Sequence, residues 1–267
     1  MGAVSLDVSR RARVSFHSLS QDDIVQKIAL PILKEATVSL AIGAVCGLFV
    51  ATPIGLTLLF GGIAVQLLVN TAMRSCIAYH EHRLQMDPHH KVPASIRWFA
   101  SEVFAFGSAI HANTLIHEFG HYGAALATLK NPSLSLELFP FKGGATRIQA
   151  SALSKFGERL GEQNVHPFIS GAGPALSCCV SGILMGVGLG IQRKHPETAR
   201  MLIVSSLINF IVHAVYAFSA FFTNPTYFAH DFVALWAMAG LHPLVATIAI
   251  LAIPAILLSA VWFRSAN

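Results

Sequence analysis

The chain has 267 residues, of which 54% are hydrophobic and only 12% charged, and its mean hydropathy is +0.60. A soluble domain carries about 25% charged residues, so this composition excludes an ordinary water-soluble fold and predicts several helices that cross a bilayer. The net charge of +5 does not point to nucleic acid, because the basic residues lie between the apolar runs, where topology and lipid headgroups account for them.

Residues 1–36 read as a polar tail, with Arg10, Arg11 and Arg13 too far from an apolar run to form a cleaved signal peptide. The uncharged run 37–73 is too long for one upright span. "ATPIG" (51–55), near its middle, predicts two short transmembrane helices joined by a tight turn. A polar, His-rich connection, 74–101, holds His80, His82, His89 and His90. It reads as a headgroup-facing segment; the His boxes of membrane di-iron enzymes come several at a time, and no second one follows.

A third span, 103–129, carries "HANTLIHEFGHYGAALATL". The longest connection, 130–165, comes next. In it "SLSLELF" alternates Leu134, Leu136 and Leu138 with smaller or polar residues, and Pro140 with Gly143 and Gly144 turns the chain into "ATRIQ", a candidate β-hairpin. The fourth span, 166–192, is rich in Gly, Ala and Ser, which suits close helix packing in lipid. The fifth runs over 201–222. "TNPTYFAHDF" (223–232) then breaks the apolar pattern, and Pro243 and Pro254 are expected to divide what remains into a shallow helix and a last span within 241–267. Cys46, Cys76, Cys178 and Cys179 have neither metal nor disulfide spacing and read as packing residues.

His117 and His121 are four residues apart, so both imidazoles leave one face of a helix, one turn apart. That arrangement suits two nitrogen ligands on one zinc ion, with Glu118 free to act as general base, the HExxH signature. Glu118 is also the sole acidic residue between Glu102 and Lys130, and a charge at membrane depth costs at least ~2.5 kcal/mol on insertion scales and marks function. A polar cluster joining helices is the competing reading. His111, on another face, reads as a packing histidine. Asn113 shares the His117 face and is a candidate substrate-binding residue, or a helix–helix hydrogen bond. A catalytic zinc normally has three protein ligands. The one carboxylate after Glu197 is Asp231, in the broken stretch that returns to the side where the HExxH helix ends. It is the expected third ligand, unless it only caps the following helix.

These residues resemble the site-2 protease family of intramembrane zinc metalloproteases. The resemblance covers about 102–240 and rests on His117-Glu118-Phe119-Gly120-His121, then Gly171-Ala172-Gly173-Pro174, then Asn224-Pro225 followed by Asp231. The family pattern has Asn-x-x-Pro before the ligand Asp and Gly after it; here Pro225 directly follows Asn224 and Phe232 follows Asp231. His213, His230 and His166 are therefore the alternative third ligands. The resemblance implies that the hairpin holds substrate as an added strand; Leu136 and Asn224 are further candidate substrate contacts. It also implies a site open to the cytoplasm with the 130–165 loop. The positive-inside count gives the opposite orientation, with thirteen Lys and Arg on the amino-terminal side and five on the loop side.

The sequence thus predicts an all-α, multi-pass membrane protein of about six transmembrane helices with a small β-hairpin after the HExxH helix. The expected function is zinc endopeptidase, with one Zn2+ per chain on His117, His121 and Asp231, Glu118 as general base, and a membrane protein as substrate. The alternatives are a membrane metalloenzyme of di-iron hydroxylase or desaturase type, or a non-catalytic protein with a polar packing cluster.

Overall fold

The computed structural model describes residues 19–86, 94–140, 143–150, 152–227 and 229–266, the side chains of 84–86, 94–109, 197 and 261–266 excepted. The arginines of the tail and His89 and His90 lie outside the described residues, as do the side chains of Arg97 and Glu102. The chain is mostly helical, with one two-stranded sheet. Among the described residues, five helices are long and apolar enough to cross a membrane: Gln21–Gly47, Pro53–Arg83, Glu162–Ile191, Thr198–Phe222 and Pro243–Ala260.

Helix α1 (Gln21–Gly47) begins 16 residues before the uncharged run, with a π-helical turn at Val25–Ala29. The signal for this start lies in Ser20 and Asp23. The Ser20 hydroxyl accepts from Asp23 N–H at 3.0 Å, and Asp22 and Asp23 occupy the first turn, where acids favour the helix dipole. Helix α2 (Pro53–Met86) likewise continues through the first part of the expected polar connection.

The chain divides into two compact units, one of Met1–Leu40 and Ile63–Phe104, the other of Ala41–Gly62 and Ala105–Asn267. In the first unit, the charges that bracket the uncharged run meet. Glu35 is buried, accepts from Arg74 Nε at 3.0 Å and from Asn70 Nδ2 at 3.1 Å, and pairs with the Arg74 guanidinium. Removing one member of a buried pair strands the other, at about 3 kcal/mol, whereas replacing both with apolar groups is often neutral. Arg74→Leu is therefore expected to lower the thermal unfolding midpoint in detergent by more than Glu35→Leu/Arg74→Leu does. Equal losses would show that the pair has no such role.

The second unit holds the HExxH helix and everything after it. Helix α3 (Ala94–Thr128) ends at the sheet, where β1 (Ser133–Phe139) pairs antiparallel with β2 (Gly143–Gln149), Leu136 opposite Thr146. Gly143 and Gly144 lie within β2 rather than in the turn. The far edge of β1 is tied down, since Leu138 N–H donates to the Phe49 carbonyl at 2.8 Å, and Phe49 packs edge-on against Phe119 at 5.6 Å. After a short α4 (Lys155–Leu160) come α5 (Glu162–Ile191) and α6 (Pro196–Ser219), the latter ending in a 3-10 turn, Ala220–Phe222. Helix α7 (Asp231–Ala239) stops at Gly240, whose φ of 70° suits glycine, and α8 (Pro243–Ala266) follows. Pro254 sits inside α8 and does not divide it. The division falls at 240–242.

The core of this unit is shared by α5 to α8. It includes Cys178, Met185, Phe210, Ala214, Ala217, Phe232, Val233 and Ile250. Small residues on α5 let α6 approach. A Cβ on Gly188 would stand 2.9 Å from the Ala199 carbonyl oxygen, and Asn209 Nδ2 donates to the Ser177 carbonyl at 3.2 Å and to Ser181 Oγ at 2.7 Å. All four cysteines are free thiols, and Cys46 and Cys178 are buried.

Candidate metal centre

His117, Glu118 and His121 lie on α3, and Asp231 opens α7. The helical period places both imidazoles on the α3 face that crosses α5, and the crossing is close because of glycine. A Cβ on Gly120 would collide with the Ala172 carbonyl oxygen, and one on Gly173 would collide with the His121 ring and stand 2.9 Å from His117 Nε2. The Gly-Ala-Gly-Pro run is thus a tight helix crossing located at the histidines themselves. One ligand atom from each of His117, His121 and Asp231 falls within 4.8 Å of the others. His117 Nε2 is 3.0 Å from Asp231 Oδ2 and 3.0 Å from His121 Nε2, and His121 Nε2 is 3.4 Å from Asp231 Oδ1. The helix cap of α7 is His230, and Asp231 lies one residue inside, so its carboxylate is directed to the imidazoles and not to the helix end.

The outer nitrogens identify which ring atoms are free. A carbonyl only accepts, so His121 Nδ1 carries the proton it donates to Ile169 O at 2.7 Å. His213 Nδ1 donates to Asn209 O at 3.0 Å, which leaves His213 Nε2 to accept from His117 Nδ1 at 3.2 Å. We assign both tautomers from this network. It follows that Nε2 of His117 and Nε2 of His121 each turn a lone pair toward the other and toward a carboxylate. With both rings neutral, three such donors in contact repel one another, and a metal ion or a proton among them relieves the repulsion. The donor set, two imidazoles and a carboxylate, suits Zn2+.

Asp231 has its own support. Tyr216 O–H points to Asp231 Oδ2 at 3.4 Å and accepts from the Asp231 N–H at 3.2 Å. Glu118 is buried, and Thr146 of β2 donates its hydroxyl to Glu118 Oε2 at 2.7 Å. Beside it Gly144 leaves room for the carboxylate, since a Cβ there would stand 2.6 Å from Glu118 Cγ and 2.9 Å from Oε1.

No protein-family model, curated protein or solved structure matches the chain. What the centre does follows from its own geometry.

The alternative ligands sit elsewhere. His213 touches His117 through its outer nitrogen. His230 stacks on Tyr216 with centroids 4.1 Å apart, and its Nε2 meets Ser219 Oγ at 3.0 Å. His166 lies beside Ser170, near 3.5 Å. Of the candidate substrate contacts, Asn113 lines a cavity next to Glu118. Leu136 lies mid-strand in β1. Asn224 is exposed, and its Oδ1 accepts from Thr226 N–H at 3.0 Å in a local turn. His111 borders a separate small pocket with Cys46 and Leu138.

Sequence reasoning singled out the three convergent residues and the buried Glu118 beside them but not the contacts of Thr146, Gly144 and Tyr216, nor that of His213 with His117 Nδ1. The spacing of Asn209 and His213, one turn apart on an apolar helix, was the available signal for the last. Partners that orient a ligand histidine are worth 10- to 100-fold in metal affinity. His213→Leu is expected to weaken Zn2+ binding by about that factor in chelator competition, and unchanged affinity would rule out the orienting role.

Proposed function

We propose that the protein is an intramembrane zinc endopeptidase of the site-2 protease type. The observation that carries this reading is the convergence of His117, His121 and Asp231 beside a buried Glu118 that borders an open cavity. Zinc held there supplies Lewis acidity to the scissile carbonyl and to water. Glu118, hydrogen-bonded to Thr146, takes the proton from the attacking water and returns it to the leaving amine. Helix α3 makes a sixth crossing, added to the five apolar helices. Its 35 residues exceed the ~20 that a span needs, and Glu118, ten residues from Thr128, lies ~15 Å from that end.

Strand β2 supports the peptidase reading. Its inner edge pairs with β1, and its other edge makes no backbone hydrogen bond among the described residues. An extended peptide binds such an edge through its main chain, and hydrolysis of a helical substrate requires that local unwinding. The test is elemental analysis of wild type purified in detergent. About one zinc per chain is expected, and a metal-free protein would return the cluster to helix packing alone.

A further inference from the structure

A cleft of about 410 Å3 leads away from the metal centre between α3 and α6. Its α3 wall runs from Ile110 through Asn113 to Glu118, its α6 wall from Ile208 through Val212 to Tyr216, and Gly143 and Gly144 stand beside Glu118. Eight residues separate the ends of each wall, which gives a length of ~12 Å. An extended chain at ~3.3 Å per residue places three to four residues along that length.

The wall is apolar at Ile110, Ile208 and Val212, and it carries the polar side chains of Asn113, Thr114 and Asn209. Thr114 donates its hydroxyl to the Ile110 carbonyl at 2.9 Å, and Asn209 Nδ2 donates to α5. Asn113 gives α5 only its backbone carbonyl, to Ser177 Oγ at 3.2 Å, and its carboxamide makes no hydrogen bond among the described residues. It therefore offers a donor and an acceptor on a half-buried apolar surface, where an unpaired amide is costly. A peptide group of an unwound chain satisfies both.

We infer that this cleft holds three to four apolar substrate residues in extended form, beyond the scissile bond and away from the hairpin, with the Asn113 carboxamide hydrogen-bonded to a substrate peptide group. The inference rests on the peptidase reading and assigns the substrate conformation at that site.

The test uses zinc-loaded protein in detergent and two probes, acetohydroxamate and hydroxamates extended by one to five leucine or alanine residues on either side of the chelating group. In one series affinity should rise with each residue and level off after three or four. Asn113→Leu should weaken the extended probes about tenfold and leave acetohydroxamate unchanged. Ile208→Trp, at the far end, should bring the plateau forward to one or two residues. Affinity that does not depend on length, or extended probes indifferent to both variants, overturns the cleft assignment while acetohydroxamate binding keeps the metal centre intact. Wild type without zinc overturns the metal reading, and zinc-loaded wild type that fails to bind acetohydroxamate overturns the peptidase reading, with the cleft assignment falling in either case.

Discussion

Glu118→Gln should retain about one zinc per chain and lose peptide hydrolysis by on the order of 10³-fold, the scale of a general base and acid removed together. The expectation follows from where Glu118 stands. It is adjacent in sequence to His117, yet it is absent from the convergent group of His117, His121 and Asp231. Its carboxylate is instead held by Thr146 at 2.7 Å and fitted against Gly144. Glutamine has nearly the same shape and keeps an oxygen for the Thr146 hydroxyl, so packing is preserved and only the proton-accepting capacity is lost. Zinc content by elemental analysis and cleavage of a membrane-embedded reporter substrate are read on the same preparation. Cleavage at the wild-type rate would remove Glu118 from the chemistry. Loss of zinc would instead make it a ligand.

Asp231→Ala should lose zinc. Removing a partner that only orients a ligand costs 10- to 100-fold in affinity, and Asp231 stands 3.0 Å from His117 Nε2 and 3.4 Å from His121 Nε2, so its removal should cost more. Titration of the variant against a chelator of known affinity measures the loss. Two further side chains are positioned to report on the cause. Tyr216 meets Asp231 through its hydroxyl and would remain in place, and His213 contacts His117 only through the outer nitrogen of that ring. Full zinc occupancy in Asp231→Ala would transfer the third ligand to a histidine, and His213→Leu in the same background would then show whether it had turned inward.

His117, Glu118 and His121 were legible in the sequence because a helix has one period: residues four apart share a face wherever that helix packs. The same holds for the hairpin, where alternation at Leu134, Leu136 and Leu138 predicts a strand and the structure pairs 133–139 with 143–149. The starts of α1 and the end of α2 were less legible. Apolar length alone places boundaries where charge appears, whereas Glu35 and Arg74 are charges that neutralise each other across two helices and so remain inside them. Likewise Pro254 reads as a break, but a proline within a helix costs one hydrogen bond and a kink, which packing against α6 and α7 tolerates.

By itself, then, the sequence determined the helical membrane architecture, the hairpin and the two imidazoles with their neighbouring carboxylate, since each depends on composition or on a local period. Only the tertiary structure decided that Asp231, 110 residues after His121, meets both histidines. It also decided that Gly173 and Gly144 are the spaces into which the imidazoles and Glu118 fit, and that Asn113 faces a cleft while Asn209 Nδ2 donates to α5. Those facts depend on which helices cross and how closely. Crossing distance is set by the summed contacts of both surfaces, which no local pattern in either segment contains.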